Sequence, residues 1–248
     1  MLIDTHCHIH EADYPLDSSD TIARAHAAEI DQMICVGTSE ESSRRAVAFA
    51  AEFGEVYAAI GVHPHETKDG YKEIKQLAGS KKLVAVGEIG LDYFYNHSPR
   101  EVQIDALRWQ IEFALANNLP IIFHVRDAFD DFWPIFDSFK GIRGVIHSFT
   151  DNQLNLDAAL SRGLYIGVNG ISTFTKDEAQ KLAFNSIPLN RLLLETDAPY
   201  LTPVPLRGKV NEPAFVKNIA QYHASSRQIS LDEIASITTA NARALFAL

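Results

Sequence analysis

Eight short apolar runs punctuate the chain, at residues 2–5, 32–36, 56–60, 83–86, 120–123, 144–146, 164–168 and 191–194. Each is too short for a helix of its own, and unbroken apolar runs suit parallel strands covered on both faces. Among the segments between them, residues 19–28, 41–52, 100–117, 152–161 and 176–184 place apolar residues at helical spacing among helix formers. Ser98-Pro99-Arg100-Glu101 predicts a helix start with proline at the first helical position. Ser230-Leu231-Asp232-Glu233 predicts a capping box at the head of the closing helical stretch, residues 230–248. Strand and helix alternate throughout and no Pro/Gly/Ser-rich linker interrupts them. The pattern predicts an α/β fold, one (β/α)8 TIM barrel spanning residues 1–248 as a single domain.

Composition narrows the classes. A hydrophobic content of 46% supports a sizeable core, and the absence of an 18-residue apolar stretch predicts no membrane span. Asp4 and three histidines break up the N-terminal run, so a signal peptide is not expected. The two cysteines, Cys7 and Cys35, read as reduced core residues, and the cytoplasm is the expected compartment. A net charge of -10 argues against a broad basic surface for long nucleic acid. Bound divalent cations would supply positive charge locally, so a phosphate substrate stays open. No obligate protein partner is expected.

The chemistry begins at His6-Cys7-His8. Side chains alternate along a strand, so His6 and His8 share a face, a pair of imidazoles suited to a divalent metal. The same event recurs: His63 closes the third run, Glu88 the fourth, His124 follows the fifth, His147 the sixth and Asp197 the eighth. In a barrel those strand ends face one mouth, where catalytic groups gather. Six of these seven groups suffice for two ions. Any one alone has a bland reading as a capped histidine or an ion-pair carboxylate; their joint placement favours a metal-dependent hydrolase.

At this point the chain resembles the TatD-type hydrolases, a branch of the metal-dependent amidohydrolases. The motifs are Asp4-Thr5-His6-Cys7-His8, Gly61-Val62-His63-Pro64-His65, Gly87-Glu88-Ile89-Gly90-Leu91-Asp92-Tyr93, Phe123-His124-Val125-Arg126-Asp127-Ala128, Ile146-His147-Ser148-Phe149 and Glu195-Thr196-Asp197-Ala198-Pro199-Tyr200-Leu201. Arg207-Gly208-Lys209, Asn211-Glu212-Pro213 and Thr239-Ala240-Asn241-Ala242 complete them. The resemblance implies hydrolysis of phosphodiester bonds in DNA, often as a 3′-to-5′ exonuclease; with a net charge of -10 and few basic residues near the mouth beyond Arg126, Arg207 and Lys209, attack is expected to favour single-stranded or frayed ends. It implies two divalent ions (zinc, manganese, magnesium or nickel): His6, His8 and Asp197 on one, His124 and His147 on the other, Glu88 bridging. Glu88 stands where related amidohydrolases carry a carboxylated lysine. Two departures are Asp151-Asn152, where many relatives have glycine, and Val210, where many have a basic residue.

A bridging ligand should be a carboxylate, because each imidazole nitrogen offers one lone pair, and Glu88 suits that role. Asp197 would bind metal with one oxygen and accept the attacking water's proton with the other. His63 is expected to touch the substrate phosphate or assist the leaving group, and Arg207 to clamp a phosphate. Asp92 would support the site as an acceptor, and His65 would brace the His63-Pro64 turn. His10, His26, His97 and His223 receive no role. Three alternatives stand beside the nuclease: a hydrolase of a small amide, lactone or phosphoester, whose ligand set would be the same; a decayed, non-catalytic barrel, disfavoured by the complete ligand set; and a Schiff-base aldolase, disfavoured because no lysine ends a strand.

Overall fold

The computed structural model describes residues 1–95 and 97–248. The strands are β1 (Leu2–Cys7), β2 (Ile30–Val36), β3 (Val56–Ile60), β4 (Leu83–Asp92), β5 (Ile121–Arg126), β6 (Gly144–Ile146), β7 (Tyr165–Val168) and β8 (Leu192–Leu194). They form one sheet in that order, and the pairs β3–β4, β4–β5, β5–β6 and β7–β8 are parallel. The chain after the last strand returns to the first. Cys7 bridges Ala198, the His8 amide donates to the Ala198 carbonyl at 2.8 Å, and the Asp197 amide donates to the His6 carbonyl at 2.9 Å. Sequential order, parallel pairing and this closing contact define the (β/α)8 barrel that the apolar runs predict.

The chain packs as two compact units. Met1–Ile34 and Ser148–Leu248 make the first. It carries β1, β7 and β8 with α1 (Ser18–Ala27), α5 (Gln153–Ser161), α6 (Ile171–Phe174), α7 (Glu178–Ser186), α8 (Val216–Arg227) and α9 (Leu231–Phe246). The α9 helix packs on β1 and β8, burying Ile234, Ala242, Leu245 and Phe246. Ser230 caps it as expected, its hydroxyl accepting from the Glu233 amide at 3.1 Å.

Cys35–His147 make the second unit, with β3 to β6, α2 (Glu40–Glu52), α3 (Arg100–Ala116) and α4 (Phe129–Asp137). Phe123 on β5 meets Phe132 and Phe136 of α4 edge to face. All three rings are buried, each contributing about 2–3 kcal/mol through area removed from water. Cys7 and Cys35 are both buried and form no disulfide with each other.

Four expectations need correction. The β4 strand does not end near Val86 but runs to Asp92, so Glu88 lies within it, beside a register shift between Val86 and Ile89. Likewise His124 sits inside β5 rather than after it. The link from β3 to β4 holds two 3₁₀ turns, Pro64–Asp69 and Glu73–Leu77, in place of an α-helix. Finally, α3 starts at Arg100, with Pro99 at the cap position. Ser98 is used elsewhere, its hydroxyl donating to the His65 carbonyl at 2.6 Å.

Candidate metal centre

Strand alternation does at β1 what the sequence requires. His6 and His8 share a face while the Cys7 thiol turns away to the Ile34 carbonyl. The two imidazoles bring Nε2 to Nε2 at 3.1 Å. Asp197 Oδ1 lies 3.3 Å from His8 Nε2 and 3.7 Å from His6 Nε2. Three donors converging within 4.8 Å, largely shielded from water, form a pocket of ligands suited to a divalent cation.

Asp4 explains how Asp197 is held. Its fully buried carboxyl accepts from the Thr196 amide at 2.8 Å and from the Thr196 hydroxyl, tying β1 to the turn that presents Asp197. Burial pushes the Asp4 carboxyl up to about 8, against the lowering effect of these hydrogen bonds. Asp197 has a φ of 59°, a left-handed conformation that a short polar side chain tolerates. Asn211 braces the same turn, its amide donating to the Thr196 carbonyl at 2.8 Å and to the Tyr200 carbonyl. Glu195 accepts from the Ser148 amide at 2.7 Å. Sequence reasoning assigned no role to Asp4, Asn211 or Glu195; a charged residue inside the first apolar run was the available signal for Asp4.

In the second unit Glu88 is the hub. Its Oε1 lies 2.8 Å from His124 Nδ1, 3.6 Å from His147 Nε2 and 3.7 Å from His63 Nε2. Asp92 stands four residues along β4 on the same face and meets the other nitrogen, His124 Nε2, at 3.0 Å. Gly90 lies between them, in register with His124. A Cβ there would fall 1.7 Å from the His124 carbonyl oxygen, so only glycine lets β5 approach. Asp92 Oδ2 also lies 3.1 Å from His65 Nε2.

The electrostatics fit a cation. Burial works against protonating His124, but its contacts with Asp92 and Glu88 outweigh burial and raise its pKa. The two carboxylates that favour positive charge on this ring would equally favour a metal cation beside it, with Asp92 at Nε2 and Glu88 at Nδ1. His63 is pushed the other way, well below its ordinary value, by burial first and by His124 next. A neutral His63 can accept a bond or bind metal, and His63, Asp92 and His124 themselves bring donor atoms within 4.8 Å. His63 therefore lies among the ligand donors, closer to them than a purely substrate-facing role requires. Its Nδ1 accepts from the His65 amide at 3.2 Å, so the bracing of this turn involves both histidines.

Arg207 is exposed, with its guanidinium 3.9 Å over the Phe174 ring and donating to the Thr202 carbonyl at 2.7 Å. Asp151-Asn152 has a structural use: Asn152 caps α5 and Asp151 accepts from the Asn152 amide and from Asn155.

Such a fold with such donors defines a metal-dependent hydrolase. The family model described as TatD related DNase matches residues 3–247. The uncharacterized metal-dependent hydrolase YabD of Bacillus subtilis is 39% identical, covering 99% of both chains. A protein named 3′-5′ ssDNA/RNA exonuclease TatD, from Cronobacter turicensis, is 36% identical over 99% of this chain and 97% of its own. The crystal structure of YJJV, a TatD homolog from Escherichia coli, superposes with a TM-score of 0.91 at 31% identity, covering 100% of this chain and 98% of that one. The chain belongs to the TatD family.

Proposed function

We propose that this protein is a two-metal phosphodiesterase that trims DNA from the 3′ end, favouring single-stranded or frayed ends. The observation that carries the reading is the gathering of imidazole and carboxylate donors into two clusters, His6–His8–Asp197 and Glu88–His124–His147, in a chain whose relatives include one named as an exonuclease. His6, His8 and Asp197 would hold one ion, and His124 and His147 with Glu88 would hold a second. Divalent ions bound there would acidify a water molecule and neutralise phosphodiester charge.

The chain's own groups do the rest. Asp197 has a second oxygen to take the proton of the attacking water. Asp92 fixes the His124 ring and its tautomer. His63, kept neutral, meets the substrate phosphate or the leaving group beside Glu88. Arg207, supported on Phe174, offers a cation to a flanking phosphate.

The test compares single-stranded DNA, a generic phosphodiester, and a panel of amides and lactones, with divalent metal restored after chelation. Metal-dependent turnover of DNA from the 3′ end is expected. Inactivity on every DNA, alongside turnover of an amide or lactone, would overturn the nuclease reading.

A further inference from the structure

Phe94 and Tyr95 are left 54% and 53% exposed shortly after β4. They nonetheless have ring and cation contacts. Their rings meet edge to face at 4.7 Å, and the Arg126 guanidinium lies 3.9 Å from the Phe94 ring centre and 5.0 Å from that of Tyr95. Tyr95 also stacks on His97, with ring centres 5.7 Å apart.

The backbone beneath this pair is tied to the metal-ligand cluster. Asp92 Oδ1 accepts from the Phe94 amide at 3.0 Å and from the Tyr95 amide at 3.3 Å. The other oxygen of that carboxylate is the one that lies against His124 and His65. Arg126 is the register partner of Asp92 on β5, and its carbonyl accepts from the Tyr93 amide at 3.0 Å. One carboxylate therefore sets both the aromatic turn and the imidazole facing Glu88.

We infer that Phe94, Tyr95 and Arg126 form a stacking platform for an unpaired nucleobase of the substrate, next to the phosphate held at the Glu88–His124 cluster. The inference rests on the nuclease reading. Flat aromatic faces with a guanidinium accept any base without reading its edges, and the cation favours the flanking phosphate in a chain of net charge -10. A base within a duplex has both faces covered by its neighbours. The platform therefore supplies a physical reason for preferring single strands and frayed ends.

The experiment uses the metal-loaded full chain and two oligodeoxynucleotides that differ only in whether the 3′-terminal residues carry bases or are abasic; matching ribo-oligomers separate DNA from RNA as the source of the base. For the native chain, kcat/KM should fall about tenfold or more on removing the bases, mainly through KM. In F94A/Y95A, and in F94L/Y95L which keeps apolar bulk, that ratio should shrink towards one while metal content and Tm stay native. A variant that discriminates as the native chain does would overturn the platform alone. So would a change in oligomeric state with discrimination intact, which would make the patch a subunit contact. Failure of the native chain to cleave any oligonucleotide would overturn the nuclease reading and the platform with it.

Discussion

His124 is gripped at both nitrogens, by Glu88 at Nδ1 and by Asp92 at Nε2. Removing the charge of Asp92 while keeping its shape tests the positioning role. Asp92→Asn should weaken metal binding at this cluster by about 10–100-fold, read by competition with a chromogenic chelator, and leave the His6–His8–Asp197 cluster unaffected. Asp197→Asn should fold normally, since asparagine also tolerates the left-handed backbone there, and should lose activity by about 10²-fold or more. Full activity with unchanged metal content would remove Asp197 from proton transfer. At this scale the ligand types were legible because strand alternation makes His-x-His a same-face pair. Asp4 and Asn211 were not, because their work is to hold a turn 192 and 15 residues away in sequence.

The elements were legible where burial is uniform. Continuous apolar runs marked every strand, and the Ser230 cap marked the start of α9. Where the apolar pattern breaks for functional reasons, the reading stopped short. Gly87, Glu88 and Gly90 interrupt the apolar run of β4, yet the strand continues because those positions face the site or the backbone of β5. The α4 helix escaped notice although Phe129, Phe132, Ile135 and Phe136 are buried at helical spacing, because it is only nine residues long and carries Pro134 inside it. Gly90→Ala probes the strand directly. It should cost at least about 1–3 kcal/mol by overpacking and displace His124, so thermal unfolding and metal content should fall together. Ser230→Ala, far from the ligands, should cost about 1 kcal/mol through the lost α9 cap without altering metal content.

For the molecule as a whole, charge and protonation set the behaviour. With a net charge of -10, only a few phosphates should be gripped, so rates on single strands should show a shallow salt dependence, each neutralised phosphate adding a slope of about -0.7. A steep slope, or rapid nicking of closed circular duplex, would contradict end-directed attack. Stability should respond to pH through His223, buried in α8 with Nε2 2.9 Å from the Ser172 hydroxyl. Burial, then Arg227, lowers its pKa to about 3 in the folded chain, against 6.5 for the unperturbed group. Between those values the unfolded chain binds the extra proton, so stability falls as pH is lowered through that window, by about 1.4 kcal/mol per pH unit from this group. His223→Gln should flatten that part of the profile in denaturant titrations. The central claim, two clusters that each hold an ion, is tested most directly by elemental analysis after metal loading and desalting. The native chain should retain about two divalent ions and His124→Ala about one; a native chain that retains none under any loading condition would contradict it.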